Sequence, residues 1–371
     1  MLKRIYIDNY KCLVNFELTF DSMNLLLGSN GAGKSAVFDA LRTVQALFNA
    51  EDFSSALPNT TVTKWQTSTL QQFEFDIADD HDIYRYQLHL NNPKDKQAPQ
   101  VVKESLTFNE NPVAVFNDGI LQVFENIGYF QAGEMSFPWA EPRSLFSLFA
   151  SSTVKTPIVT FRELLHKIVI VQISATSIRS ISEQATWQLA ADAHNFVSWY
   201  RHMSQDHGRL FEITQALRDT VAGFSHITLS NGGEAAATLF VHFKASDTNE
   251  KAIAYRFDEL SDGQRVLLIL YILVFMLQDD GYTICIDEPE NYLALPEIQP
   301  WLTQVYDLCI EQSLQAILIS HHPRLIDYLA AETGVWFTRN PNAPVRPIKI
   351  AHDHSSSLTI SELIERGWLH E

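Results

Sequence analysis

The stretch Gly28-Ser29-Asn30-Gly31-Ala32-Gly33-Lys34-Ser35 constrains this chain more than any other feature. It fills the pattern G-x-x-x-x-G-K-[ST] completely. The continuous apolar run Leu25-Leu26-Leu27 precedes it, as a fully buried strand should, and Val37, Leu41, Val44 and Phe48 follow on one face of a helix. In a strand–turn–helix of this kind the glycines let backbone N–H groups approach phosphate oxygens, and the helix N-terminus adds the positive end of its dipole. Asn30, Gly31, Ala32, Gly33, Lys34 and Ser35 are therefore the expected phosphate-binding residues. Lys34 would reach the β- and γ-phosphates of a nucleotide, and the Ser35 hydroxyl would ligate Mg2+. The alternative is a chance match in a glycine-rich turn, and the flanking strand and helix argue against it.

Composition bounds the rest. With 371 residues and 46% hydrophobic side chains, the chain can bury a large core. Its 44 acids outnumber its 27 lysines and arginines, which argues against a surface coated for nucleic-acid phosphates, because counterion release needs clustered cations. One local basic groove stays open as a possibility. Cys12, Cys285 and Cys309 form no CxxC pair, so neither a disulfide framework nor a zinc site is expected, and a reducing cytoplasm is the natural setting. The N-terminus is too charged for a signal peptide, and the longest apolar stretch, 266–277, falls short of the ~20 residues of a membrane span. A cytoplasmic protein with no membrane partner is expected.

Alternation at Ile5 and Ile7, and again at Phe16, Leu18 and Phe20, reads as half-buried strands. Residues 73–90 read as a hairpin whose tip is Asp79-Asp80-His81-Asp82, a solvated turn in preference to a metal site. Residues 91–100 form a polar loop. Phe124, Tyr129, Phe130, Phe137, Trp139, Phe146 and Phe149 crowd 101–150, as core or as a partner-binding patch. Residues 161–222 read as mainly helical, without the sustained heptad of a coiled coil. Strands resume near Ile227 and at 238–243, and the last third alternates helix 266–277, strand 282–286, helix 300–310 and strand 316–320. Such alternation belongs to a parallel α/β sheet.

Three further motifs carry chemistry. The apolar strand Thr283-Ile284-Cys285-Ile286 ends in Asp287-Glu288, which would deliver two carboxylates to a sheet edge. Asp287 suits Mg2+, and Glu288 suits the general base for an attacking water. Leu260-Ser261-Asp262-Gly263-Gln264-Arg265 opens the long apolar helix, as an N-cap or as an anion site built from Ser261 Oγ, the Gly263 N–H and the helix dipole. A second buried strand, 316–320, ends in His321-His322.

Taken together these residues resemble the ATP-binding-cassette ATPases. The resemblance makes Ser261, Gly263 and Gln264 a signature that binds the γ-phosphate held by the opposite subunit, and His321 a switch histidine at that phosphate. Asp287-Glu288-Pro289-Glu290-Asn291-Tyr292-Leu293 is similar to the acidic stretch of the SMC-like and overcoming-lysogenization-defect-like branch, although Ala294-Leu295-Pro296 replaces the His-Pro that usually follows. Ile7, Asn9, Leu13, Phe16 and Phe20 resemble the same branch, as do Ser361-Glu362-Leu363 and Gly367. The implied fold is α/β, a P-loop NTPase of ABC-ATPase head type, with a mixed sheet, an antiparallel β portion and a helical insertion. The implied lobes are 1–160, a helical insertion at 161–225, and 226–371. For the family's glutamine loop and its metal contact, Gln131 is the candidate. Arg265 either approaches the γ-phosphate or makes a surface ion pair. His352-Asp353-His354 reads as a polar loop in preference to a metal site.

The implied activity is hydrolysis of ATP with Mg2+ by a homodimer closed around two nucleotides, driving or gating a partner in DNA repair or antiphage defence. Two alternatives stand beside it: a nucleotide-gated scaffold with negligible hydrolysis, and the ATPase subunit of a transporter. The long separation of Lys34 from Ser261 ranks the transporter last. Lys3, Arg4, Lys11 and Arg179 are scattered and form no basic run, so any DNA contact is local. The short stretch after His321 leaves nuclease chemistry, if any, to a separate protein.

Overall fold

The computed structural model describes residues 1–49, 57–93, 98–124, 126, 131–136, 139, 143–151, 155–205, 207–231, 236–244, 251–350 and 358–367. Contacts divide the chain into two units, one made of 1–168 with 326–371 and the other of 169–325. The last stretch thus belongs with the first.

In the first unit β1 (Leu2–Asp8) and β2 (Phe16–Thr19) alternate buried and exposed residues as their sequence requires. β3 (Met23–Gly28) is buried at every position and leads through the glycine loop into α1 (Lys34–Phe48). β4 (Leu70–Asp79) and β5 (Asp82–Asn91) form the expected hairpin, with Asp79 opposite Asp82 and Asp80 at the turn in the left-handed region (φ 51). β6 (Gln100–Phe108), β7 (Asn111–Asn117), β8 (Ile120–Val123) and β9 (Gly133–Ser136) extend an antiparallel sheet in the order β2-β1-β4-β5-β6-β7-β8-β9. α2 (Pro157–His166) follows, capped by the Thr156 hydroxyl, with proline at its first position, where a missing N–H costs nothing.

Rings from four elements make the core of this unit. Phe48 of α1 packs edge-on to Tyr86 of β5 at 5.0 Å and to Phe161 of α2 at 5.2 Å, and Phe146 lies 6.3 Å from Tyr86. The aromatic crowding at 101–150 is therefore partly core: Phe146 is fully buried, whereas Phe124 is 41% exposed. Tyr129, Phe130 and Phe137 lie outside the described residues.

One carboxylate sits inside that core. Glu104 of β6 is completely buried and accepts hydrogen bonds from Tyr86 Oη (2.8 Å), the Leu145 N–H (2.8 Å) and Ser144 Oγ. Burial pushes its pKa up to about 7 against the opposing pull of these donors. As pH rises from about 4.5 to 7 the unfolded chain releases this proton before the folded one does, so Glu104 lowers stability as pH rises through that window. Glu104→Gln is expected to flatten the fall in stability between pH 5 and 8, a difference on the order of 3 kcal/mol. Urea titrations at both pH values measure it, and an equal slope in both proteins would contradict the assignment. Glu104→Ala, which orphans the donors, is expected to destabilise at every pH.

The second unit begins at Val169 within β10 (Ile168–Val171) and continues with β11 (Ile181–Ser182), α3 (Phe196–Met203) and α4 (His207–Thr220). The mainly helical expectation for 161–222 is thereby corrected: Ile168-Val169-Ile170-Val171 are β-branched throughout and form a strand, and 172–195 contains no α-helix. β12 (Phe224–Asn231), β13 (Ala237–Phe243) and β14 (Ile253–Arg256) pair antiparallel around β13. α5 (Asp262–Leu277) follows, buried from Val266 to Leu277. β15 (Thr283–Asp287) and β16 (Gln315–Ile319) are buried at every position and pair in parallel, connected by α6 (Leu295–Ile310). α6 starts ahead of the expected 300 because Pro296 falls in its first turn, where proline is tolerated, although Pro300 then lies inside the helix.

α7 (Pro323–Thr333) leads out of this unit. β17 (Gly334–Thr338) then pairs in parallel with β3, and β18 (Arg346–Lys349) pairs antiparallel with β17. α8 (Ile360–Glu365) closes the described chain, its Ser361 bonded to Asp327 through backbone N–H and hydroxyl, both at 2.9 Å. Among the described residues no helix is long and apolar enough to cross a membrane.

Candidate active site

The first unit carries the phosphate loop. Gly28, Gly31 and Gly33 adopt φ of 140, 78 and 106, conformations that a side chain would strain. Two of them also face close neighbours: a Cβ on Gly28 would lie 2.5 Å from the Phe337 carbonyl oxygen, and one on Gly33 would lie 2.6 Å from Val345 Cγ2 and 2.9 Å from Cys12 Sγ. Lys34 opens α1, is buried, and donates from Nζ to the carbonyls of Gly28 (2.7 Å) and Ser29 (3.2 Å), bracing the turn from within. Ala32 is buried, whereas Asn30, Gly31 and Ser35 are exposed. On the outer side Arg339 Nη1 donates to the Gly31 carbonyl at 3.1 Å. No sequence signal marks Arg339.

The second unit carries the acids and the histidine. Asp287 ends β15 opposite Ile319 of β16 and is buried. Glu288 comes next with φ 53, a left-handed conformation uncommon for its type, and its N–H donates to the Ile319 carbonyl at 2.8 Å. Its Oε2 accepts from Asn291 Nδ2 at 2.8 Å, so the carboxylate is held from the loop that follows it. Glu290 ties that loop to the next strand end. Its Oε1 accepts from Ser320 Oγ (2.6 Å) and from the His321 N–H (3.3 Å), while Ser320 Oγ accepts from the His322 N–H (3.0 Å). Asp287, Glu288 and His321 therefore stand at the same end of two paired strands, with His321 exposed and backbone-anchored. The anchoring acid, Glu290, was legible only as part of a motif.

α5 starts beside the same loop. A Cβ on Gly263 would lie 2.7 Å from the Tyr292 carbonyl oxygen, so only glycine fits between helix and loop. Ser261 is the N-cap: its Oγ accepts from the Gln264 N–H at 3.2 Å, and its own N–H donates to Gln264 Oε1 at 3.1 Å. The Ser261 hydroxyl also reaches Gln264 Oε1 (3.2 Å), and a phosphate bound there would compete with that contact. Arg265 is held by Asp262 (2.7 Å), the Ala175 carbonyl (2.7 Å) and the Leu260 carbonyl (3.1 Å). Gln131 is exposed in the connection from β8 to β9, at the far edge of the antiparallel sheet. His352-Asp353-His354 lies outside the described residues. Arg4 pairs with Glu17 (3.0 Å) and Lys11 with Asp39 (2.5 Å), so both are already committed to acids.

Among the described residues there is no group of three or more His, Cys, Asp or Glu side chains that could hold a metal. Ser35 and Asp287, taken singly, each offer oxygen, the donor type Mg2+ takes, and that ion usually needs only one or two protein oxygens beside phosphates and water.

Comparison with known proteins agrees with this architecture. Residues 1–137 match the AAA ATPase domain family. The chain is similar in structure to the Smc head bound to the C-winged helix domain of ScpA, at 13% identity and a TM-score of 0.56, covering 94% of this chain and 98% of that one. It is also similar to an Smc head domain with an extended coiled coil bound to the C-terminal domain of ScpA from Pyrococcus furiosus, at 11% identity and a TM-score of 0.52, covering 94% and 96%. No curated protein matches the sequence. The fold is that of SMC-type P-loop ATPase heads, mixed α/β with an antiparallel sheet, as the motifs imply.

Proposed function

We propose that the chain binds and hydrolyses ATP, dimerises around two nucleotides, and uses that cycle to drive or gate a separate protein. The observation that carries this reading is the phosphate loop itself: left-handed glycines, an internal lysine strut and a helix starting at Lys34. The AAA ATPase match over the same residues supports it.

In this reading Asn30, Gly31, Ala32, Gly33 and Ser35 bind the phosphates, and Lys34 leaves the loop carbonyls for the β- and γ-oxygens. Ser35 and Asp287 hold Mg2+, which neutralises phosphate charge when bound. Glu288 Oε takes the proton of the attacking water, and His321 contacts the γ-phosphate. Most of the acceleration then comes from positioning and charge stabilisation. Ser261, Gly263 and Gln264 offer a helix N-terminus to the nucleotide of a second copy. Gln131 serves as the glutamine of the family's glutamine loop.

Smc heads of this fold are seen bound to domains of ScpA. By analogy, a protein effector acting in trans, nuclease or other, is the proposed partner, and DNA repair or antiphage defence the proposed setting. A cytoplasmic location goes with that setting. Incubation with ATP and Mg2+, with and without DNA, tests the reading: ADP and phosphate are the expected products. Recovery of intact ATP from a chain that binds it would favour the nucleotide-gated scaffold instead.

A further inference from the structure

We propose that Arg339 is a positioning residue for the phosphate loop, holding Gly31 in its binding conformation so that the nucleotide need not order it. The proposal rests on the ATP reading and deepens it.

Three glycines shape the loop, and the segment from β17 to β18 meets each of them. Phe337 backs Gly28 and Val345 backs Gly33, so packing fixes those two positions. Gly31 differs. It is exposed, and a Cβ added there would meet nothing within 4 Å. The Ala32 N–H closes a turn across Gly31 to the Ser29 carbonyl (3.1 Å), but no side chain packs on the position, and glycine is the most conformationally free residue. The hydrogen bond from Arg339 Nη1 to the Gly31 carbonyl (3.1 Å) does at this position what close packing does at the other two.

Arg339 is itself fixed. Its Nε donates to the Ala343 carbonyl at 3.1 Å, closing the turn towards Val345, and its guanidinium lies over the Trp65 ring at 5.1 Å. One face of the fork thus grips the turn while the other grips the loop, a geometry that a lysine ammonium cannot reproduce. Val345 in turn bonds the Cys12 carbonyl through its N–H (3.3 Å), so the turn is anchored independently of the loop. Removing Arg339 leaves Phe337, the Val345–Cys12 bond and the strand pairing in place, and gives up the bond to Ala343 together with the one to Gly31.

A loop that must be ordered on binding weakens the ground state and the transition state equally. The signature is a rise in KM and in the ATP dissociation constant, with a much smaller change in kcat. For loss of one charge-assisted hydrogen bond the expected rise is about tenfold.

The test is calorimetric titration of ATP with Mg2+, paired with steady-state kinetics, on the full chain carrying Arg339→Ala, Arg339→Lys or Trp65→Leu. Expected are about a tenfold weaker affinity for Arg339→Ala and intermediate losses for the other two, with unchanged circular dichroism. Wild-type affinity in Arg339→Ala overturns the proposal, as does a fall in kcat at constant KM. If Arg339→Ala does not fold, Arg339→Lys and Trp65→Leu decide by the same criteria. Lys34→Ala, titrated in parallel, separates the two levels. Lost binding there beside normal binding in Arg339→Ala sinks only the positioning role, whereas normal binding in Lys34→Ala sinks the ATP reading and this proposal with it.

Discussion

Glu288→Gln is expected to lower phosphate release by about 10²- to 10⁴-fold, the range that a positioned general base contributes, while ATP stays bound. The substitution is nearly isosteric. Glutamine still offers an oxygen to Asn291 Nδ2, and the backbone bond from residue 288 to the Ile319 carbonyl does not depend on the side chain. What is lost is the capacity to take a proton. A chain that binds ATP and cannot turn it over should accumulate as the ATP-closed dimer, visible as a doubled mass in light scattering when ATP is added. Ser261→Arg in the same background places a bulky cation at the exposed start of α5 and is expected to restore the monomer. Undiminished hydrolysis by Glu288→Gln would remove the catalytic assignment, and a dimer indifferent to Ser261→Arg would remove the signature from the interface.

The second large effect concerns Lys34. Lys34→Ala is expected to weaken ATP binding by at least about 100-fold, because it deletes the charge-assisted hydrogen bonds to two phosphates at once. The structure adds a second reason. Lys34 Nζ bonds the Gly28 and Ser29 carbonyls, so alanine also removes the strut inside the turn. Lys34→Met, which keeps the length of the side chain without charge or donors, should bind ATP as poorly. Near-normal binding by Lys34→Met would mean that the lysine is a packing residue and that the phosphates lie elsewhere.

Much of this site was legible before any coordinates because its parts are contiguous. The phosphate loop is one stretch with its strand and helix attached, Asp287 ends a buried strand with Glu288 next to it, and His321 comes two residues after another. Chemistry concentrated at strand ends survives in a one-dimensional reading. Supports that come from distant segments do not. Arg339 reaches Gly31 across 308 positions, and Val345 bonds the Cys12 carbonyl and packs with Cys12 over Gly33. Glu290 was visible as a motif residue, yet its grip on Ser320 and His321 depends on the parallel register of β15 and β16.

Secondary structure failed where propensity and context diverged. Ile168-Val169-Ile170-Val171 reads as part of a helical stretch because few turn residues surround it, although its β-branched side chains favour the strand it forms. The return of 326–371 to the first unit is likewise invisible in one dimension, since long-range contacts such as the pairing of β17 with β3 create it.

Steady-state phosphate release by the purified chain tests ATP hydrolysis at the Lys34 loop most directly. Expected is release that requires both ATP and Mg2+, saturates with ATP, and disappears in Lys34→Ala. Release that persists unchanged in Lys34→Ala, or no release from a wild-type chain shown to bind ATP, would contradict it.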